Sequence, residues 1–85
     1  MISINIKLFA SLRESLGGHD FALEIKQGLT ITELTRFLGE SKGPKWHDIL
    51  TADNVITAIN QTIVERTQVL CDGDELAYFP PVTGG

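Results

Sequence analysis

The sequence predicts an α+β domain of two layers, in which a mixed β-sheet packs on one main helix. Two observations predict this class. Apolar and polar residues alternate along several short segments, as in half-buried strands, whereas the segment after Thr30 repeats its apolar residues at helical spacing. Only one long helix is indicated, so it must cover one face of one sheet. With 85 residues, the chain has room for a single core.

Two strands are predicted before the main helix. Segment 2–8 alternates isoleucine or leucine with polar residues, and segment 21–25 shows the same period of two. Between them, residues 12–16 form a helical turn that a pair of glycines ends. The two strands are therefore expected to form a hairpin whose connection is longer than a tight turn.

The main helix begins with several agreeing signals. Thr30 is a suitable N-cap residue, and Glu33 three positions later completes a capping box. The predicted apolar face of the helix consists of Ile31, Leu34, Phe37 and Leu38. Gly39 is expected to weaken the helix, and Gly43–Pro44 to end it. Pro44 can then open a shorter helix.

Three further strands are predicted in the second half of the chain, at 55–59, 62–64 and 75–79. Turn-forming pairs precede the second and third of these strands, namely Asn60–Gln61 and Asp72–Gly73. The last strand ends at two prolines, which remove the backbone donors that a sheet needs.

This order of elements fits the β-grasp, a mixed sheet wrapped around one helix, although the order alone would also permit other small α+β folds. The first and last strands both require long-range partners. We expect the β-grasp domain to comprise residues 1–79 and an extended, flexible C-terminal tail to comprise residues 80–85.

Composition excludes several classes of function. The net charge of −4 argues against nucleic acid, which calls for a basic surface. The longest apolar runs are only a few residues, so no membrane span is predicted, and without a signal peptide a cytoplasmic location is expected by default. Cys71 is the only cysteine and, with His19 and His47, gives no metal-binding spacing. We expect Cys71 to be an unreactive small core residue.

The last six residues carry the candidate chemistry. Pro80 and Pro81 stiffen the chain into an extended form, and the segment from Pro80 spans at most about 20 Å. Gly84 and Gly85 have no side chains, so they can enter a channel only as wide as a backbone. Terminal glycines are commonly just frayed ends. Here the two prolines that precede them favour a functional tail, with the carboxylate of Gly85 as the reactive group.

A carboxylate is a poor acyl donor, but adenylation by ATP would give it a good leaving group. A sulfur nucleophile could then produce a thiocarboxylate. Glycine presents the terminal carbonyl with the least steric hindrance, and no other part of the sequence offers comparable chemistry.

The ending Phe79-Pro80-Pro81-Val82-Thr83-Gly84-Gly85, together with 72–75 and Ala77, resembles the C-terminal signature of the molybdopterin synthase small subunits. Upstream, Leu8-Phe9-Ala10 with Arg13-Glu14 resembles that family's first strand and following loop, and Ile59-Asn60-Gln61-Thr62 resembles its mid-chain strand and turn. The resemblance covers the whole chain.

This resemblance implies a ubiquitin-like β-grasp that acts as a sulfur carrier. An activating enzyme would use ATP to adenylate Gly85, and a sulfurtransferase would supply sulfur to form a thiocarboxylate. The tail, Pro80 to Gly84, would insert into the large subunit of a heterotetrameric synthase. Sulfur would pass to cyclic pyranopterin monophosphate and build the molybdopterin dithiolene. No cofactor would be bound permanently, and the catalytic side chains would belong to the large subunit.

Phe9, Arg13 and Phe79 are candidates for the partner interface. Phe9 has the opposite parity to the apolar residues of the first strand, and Phe79 the opposite parity to Leu76 and Tyr78. If these strands are neighbours, the two rings form an apolar patch beside the tail. Arg13 could pair with a partner carboxylate. The alternatives are core packing for the rings and a solvated loop position for the arginine; the resemblance favours the interface.

Three other functions remain open. The chain could carry sulfur in another pathway, such as thiazole synthesis for thiamine or a tungsten-pterin cofactor. It could be a protein modifier of the ubiquitin type, whose Gly85 ends on a lysine. It could also be a plain binding module with an inert tail. The full FPPVTGG ending favours the pterin pathway over the other sulfur-carrier pathways.

Overall fold

The computed structural model describes residues 1–17 and 20–80. Every predicted strand and helix is present in the predicted order. The elements are β1 (Ile2–Leu8), α1 (Ala10–Leu16), β2 (Phe21–Ile25), α2 (Ile31–Lys42), α3 (Pro44–Leu50), β3 (Ile56–Ile59), β4 (Thr62–Ile63) and β5 (Glu75–Phe79). Relative to the predictions, β3 begins one residue later and β4 ends one residue earlier.

The strands form one mixed sheet in the order β2-β1-β5-β3-β4. The first and last strands lie side by side and run parallel, with Leu8 opposite Tyr78, while every other pair of neighbours is antiparallel. Because β5 occupies the centre of the sheet, its end is fixed by hydrogen bonds to strands on both sides. The mixed sheet over a main helix confirms the predicted α+β, β-grasp class.

One face of the sheet packs against the helices and forms the core. The inward side chains of β1 and β5, among them Ile4, Ile6 and Leu76, are fully buried with Leu34 and Leu38 of α2. Burial of such side chains contributes about 1.5–3 kcal/mol each, which is the main source of stability in a domain of this size.

The start of α2 is fixed by its predicted capping box. The Thr30 hydroxyl accepts a hydrogen bond from the Glu33 N–H, and the Glu33 carboxylate accepts one from the Thr30 N–H. These hydrogen bonds to Thr30 lower the pKa of Glu33. The prediction that Phe37 lies on the buried face was wrong, because that side chain is 44% exposed. The buried stripe of α2 instead runs through Ile31, Leu34, Thr35, Leu38 and Gly39.

Gly39 marks the place where α3 crosses α2. A Cβ atom built on Gly39 would lie 2.8 Å from the Cβ and 3.0 Å from the Cα of His47. The glycine therefore does more than weaken α2, since it permits the close approach of the two helices. Gly43, with a φ of +110°, connects them in a backbone conformation that residues with a side chain rarely adopt.

Candidate functional site

The sheet face opposite the helices, called the open face below, carries the candidate site. Side chains alternate along each strand, so the residues between the buried positions of β1 and β5 point to this face. One row across the sheet runs from Lys7 through Ala77 and Ala58 to Ile63. The next row towards the end of β5 contains Phe79, which is paired with Ile56.

Phe9 and Phe79 stack against each other at the end of β5. Their ring centroids are 4.5 Å apart and the ring planes are 12° from parallel. The Phe9 N–H donates to the Tyr78 carbonyl at 3.2 Å, and Ala10, with a φ of +51°, turns the chain from β1 into α1 directly afterwards. Phe9 remains 39% exposed. The predicted juxtaposition of the two rings is thus observed, while their role in partner binding stays a prediction.

A groove of about 580 Å³ extends along the open face beside this stack. Its floor is made by two small residues, Ala58 and Ala77, which are paired across β3 and β5. Larger side chains surround them, including the stacked rings and Ile63, which is 74% exposed. The groove reaches Pro80, the last described residue. An apolar hollow therefore lies directly beside the point where the tail begins.

An ion pair borders the groove on the β1 side. The Lys7 Nζ lies 2.7 Å from a Glu75 carboxylate oxygen and 4.0 Å from an Asp20 oxygen. The hydrogen bond and charge of Glu75 raise the pKa of Lys7. Sequence reasoning missed this pair. The sequence does contain a signal for the pair, because Lys7 and Glu75 carry opposite charges and share a face if the first and last strands are neighbours.

A buried hydrogen bond holds β5 on the main helix. The Tyr78 hydroxyl lies 2.7 Å from the Thr35 hydroxyl, which donates to the Ile31 carbonyl at 2.8 Å. Burial raises the pKa of Tyr78 to about 12. Tyr78 immediately precedes Phe79, so this hydrogen bond fixes the end of β5, the strand that leads into the tail. No pattern in the sequence indicates this hydrogen bond, because it depends on which position of α2 faces β5.

The turn before β5 is stabilised by acidic side chains. Asp72 accepts a hydrogen bond from the Ser3 N–H at 2.8 Å, and Asp74 accepts one from the Cys71 N–H at 2.8 Å and one from the Asn60 amide at 3.0 Å. This agrees with the prediction of a turn at Asp72–Gly73. Within residues 1–17 and 20–80, no group of three or more His, Cys, Asp or Glu side chains is arranged to hold a metal ion.

The other predicted site residues lie apart from the groove or outside the described part. Arg13 is exposed on α1 and does not line the groove. The expectation that Cys71 is a core residue was wrong, because Leu70 takes the inward position and the Cys71 side chain is exposed. Pro81, Val82, Thr83, Gly84 and Gly85, like His19, lie outside the described residues.

The sequence profile of the ThiS family matches residues 6–85. The chain belongs to the ThiS family. Proteins similar in sequence to this ThiS-family chain include the molybdopterin synthase sulfur carrier subunits of Haemophilus influenzae and Escherichia coli. Each is 37% identical over 82 residues, covering 96% of this chain and 99% of the relative.

A solved structure supports the fold of the ThiS-family chain. SAMP1 from Haloferax volcanii, a small archaeal modifier protein, superposes with a TM-score of 0.80 and 27% identity. The match covers 98% of this chain and 99% of SAMP1. In the described part of the chain, no helix is long and apolar enough to cross a membrane.

Proposed function

We propose that this ThiS-family chain is the sulfur-donating small subunit of a molybdopterin synthase. The observation that carries the proposal is its similarity, over almost the full length of both chains, to two proteins named molybdopterin synthase sulfur carrier subunit. The geometry supports it, because the central strand β5 leads through Pro80 into the segment that ends in Gly84-Gly85. A rigid domain that presents a thin chain end is what a carrier requires.

Loading of the carrier proceeds in two steps at Gly85. The carboxylate attacks the α-phosphate of ATP on an activating enzyme, which gives a glycyl adenylate and releases pyrophosphate. The outer sulfur of a persulfide carried by a sulfurtransferase then attacks the carbonyl carbon, and AMP leaves with one former carboxylate oxygen. A thiol cleaves the resulting acyl disulfide and forms a disulfide with the sulfurtransferase sulfur. The product is a thiocarboxylate. ATP is a substrate of the activating enzyme, so this chain needs no resident cofactor.

Unloading returns the carboxylate to Gly85. The sulfur of the thiocarboxylate attacks a carbon of cyclic pyranopterin monophosphate, and the oxygen substituent of that carbon leaves as water or remains on the phosphate. Water then hydrolyses the resulting thioester, which leaves the sulfur on the pterin and restores the carboxylate of Gly85. A dithiolene contains two sulfur atoms and each thiocarboxylate carries one. Each molybdopterin therefore consumes two loaded chains, which is consistent with a synthase that contains more than one small subunit.

The partners follow from this cycle. The large subunit receives the tail, residues 80–85, and contributes the catalytic side chains in a heterotetramer whose small subunits lie at its ends. Phe9, Phe79 and the groove beside them form the docking surface for that subunit. Arg13, which is exposed on α1, is a further contact with it. We propose a cytoplasmic location, where the activating enzyme and ATP are available.

Reconstitution tests the proposal. The chain, loaded with ATP, an activating enzyme and a sulfur donor, is mixed with purified large subunit and cyclic pyranopterin monophosphate. We expect molybdopterin to form in proportion to loaded chain, at half its amount, and none to form with the unloaded chain. If loading succeeds but no molybdopterin appears, the pathway is another one, such as thiazole or tungsten-pterin synthesis.

A second candidate function is protein modification. The similarity to SAMP1, a small archaeal modifier protein, favours it. In this case Gly85 would form an amide with a lysine of a target protein, releasing AMP from the same adenylate. Conjugates that survive a reducing gel, and that are absent when Gly85 is removed, would support modification; a sulfur carrier alone gives none.

A further inference from the structure

The outer edge of β2 is a strand edge open to pairing. In the described part of the chain, β2 is the outermost strand of the sheet and pairs with β1 alone. Its five residues follow β1 in unbroken register, so the strand has no bulge, and its sequence, FALEI, has neither proline nor lysine. Bulges, prolines and lysines commonly protect an edge strand from pairing with another chain. The strand at the other edge, β4, is only two residues long.

The backbone of β2 presents hydrogen-bonding groups to its free edge at Ala22 and Glu24. Along a strand, the N–H and C=O of one residue point to the same side, and the side alternates from residue to residue. Ser3 and Asn5 form backbone hydrogen bonds of 2.7 and 2.9 Å to the turn before β5, so their groups point away from β2. Glu24 and Ala22, which are paired with Ser3 and Asn5, therefore point away from β1.

A second copy of β2 fits this edge in an antiparallel arrangement. When Ala22 of one copy lies opposite Glu24 of the other, each such pair exchanges two backbone hydrogen bonds. The two Leu23 residues then lie opposite each other on a two-fold axis, and Phe21 lies opposite Ile25 of the other copy. Every residue of the strand is paired in this register, with apolar side chains opposite apolar side chains on the helix side of the sheet.

The charges of β2 favour this register over its neighbours. With the axis at Leu23, the exposed Asp20 of each copy lies opposite the exposed Lys26 of the other. An axis at Ala22 would place Asp20 opposite Glu24, and an axis at Glu24 would place the two Glu24 carboxylates opposite each other. Opposite charges directly across a strand pair stabilise it, whereas like charges destabilise it. The strand is therefore complementary in charge to itself in the register that pairs its full length.

The two ends of β2 also differ in shape on the helix side. Beside Ile25 lies a groove of about 320 Å³, which is lined in part by Leu29 and by Phe37, a side chain that is 44% exposed. At the other end, Phe21 packs edge-on against Trp46, with 6.0 Å between the ring centroids. Since antiparallel copies run in opposite directions, the aromatic end of each copy would lie against the groove end of the other.

We propose that the free chain forms a symmetric dimer by antiparallel pairing of β2 with β2 of a second copy, with Leu23 at the two-fold axis. The two sheets then become one continuous sheet. Because β1 separates β2 from β5, the start of the tail is not part of the interface. A strand of five residues gives a small interface, so the dimer is weak and forms at high protein concentration. The inference concerns the free chain and does not depend on the proposed function.

Exchange of charge between two variants is the most direct test. Asp20→Lys and Lys26→Asp each place like charges opposite each other twice in the dimer. By sedimentation equilibrium, we expect each variant alone to dimerise about tenfold more weakly than the unmodified chain. An equimolar mixture of the two should associate as strongly as the unmodified chain, because a mixed dimer restores both ion pairs. Asp53→Lys, at an exposed position outside β2, changes the net charge as Asp20→Lys does and should dimerise within about twofold of the unmodified chain.

Amide hydrogen exchange locates the interface independently of these charges. The N–H groups of Ala22 and Glu24 should exchange rapidly in dilute solution and more slowly as the concentration rises, because they become hydrogen-bonded in the dimer. The control is the N–H of Ile63, which points to the opposite edge because that of the next residue donates to the Thr57 carbonyl of β3. Its exchange should not depend on concentration.

Three results would overturn the proposal. The first is a chain that stays monomeric at every concentration, which would leave the edge of β2 to a strand of another protein. The second is a dimer in which the exchange of the Ala22 and Glu24 amides does not slow. The third is a mixture of Asp20→Lys and Lys26→Asp that associates no better than either variant alone.

Discussion

The hydrogen bond between Tyr78 and Thr35 predicts a specific pattern of stability. The Thr35 hydroxyl has one hydrogen and donates it to the Ile31 carbonyl, so the Tyr78 hydroxyl must be the donor in the 2.7 Å contact. Tyr78→Phe removes that donor and leaves a Thr35 lone pair without a partner. Thr35→Val removes the acceptor and leaves a buried hydroxyl donor unsatisfied, which is the more costly defect.

The magnitudes follow from burial. Tyr78 and Thr35 are 0% and 1% exposed, so water cannot replace the lost partner in the folded state. We expect a loss of about 1 kcal/mol for Tyr78→Phe and about 1–3 kcal/mol for Thr35→Val in the free energy of unfolding. The double variant removes both polar groups, and its loss should be smaller than the sum of the two by roughly 1 kcal/mol.

Urea unfolding followed by fluorescence provides the assay, because Trp46 is the only tryptophan and packs edge-on against Phe21. In thermal unfolding, each kcal/mol lost from the free energy of unfolding should lower the melting temperature of a domain of this length by about 4–8 °C. Losses in the double variant that equal the sum of the single losses would show that the two hydroxyl groups do not interact, and would refute the reasoning.

Burial of Tyr78 also predicts that the stability of the fold depends on pH in the alkaline range. Burial raises the pKa of Tyr78 from its ordinary value of 10 to about 12, so the folded state retains its phenolic proton at pH values where the unfolded state has lost it. The stabilising contribution is therefore fully present below pH 10 and is lost as the pH rises towards 12. Between these values, stability should fall less steeply in Tyr78→Phe than in the unmodified chain; equal slopes would contradict this.

The remaining predictions concern helix packing and the candidate site. Gly39→Ala should lower the free energy of unfolding by about 1–2 kcal/mol, because the new methyl group would crowd His47 by more than the helix gains in propensity; an increase in stability would show that α3 moves aside freely. Phe79→Asp should weaken large-subunit binding at least about tenfold, whereas Phe37→Asp, on the helical side, should not; matching affinities would exclude the Phe9–Phe79 surface as the interface. Deletion of Gly85 should abolish sulfur transfer and leave the melting temperature unchanged; a preserved transfer rate would assign the chemistry elsewhere.

Local patterns were sufficient to predict most of the fold. The period of two in β1 identified the buried isoleucines, and the spacing of Thr30 and Glu33 identified the capping box, because each depends on residues close in sequence. Parity along the strands also predicted that Phe9 and Phe79 share a face. That inference needed only one long-range assumption, the pairing of β1 with β5, which the structure bears out.

Features that depend on register or on the crossing of elements were not predictable. The hollow exists because Ala58 is opposite Ala77, and a shift of one residue in either strand would have moved the alanine of that strand to the other face. Phe37 fits the helical period of α2, but it lies beside the buried stripe of that helix and is exposed. In each case the decisive partner is distant in sequence.

The central claim is that Gly85 is activated by ATP and loaded with sulfur. Intact mass spectrometry of the chain, after incubation with an activating enzyme, ATP and a sulfur donor, tests it most directly. The account predicts a gain equal to the exchange of one oxygen for sulfur, located by fragmentation in the last residue and absent without ATP. An unchanged mass, or sulfur found on Cys71 instead, would contradict it.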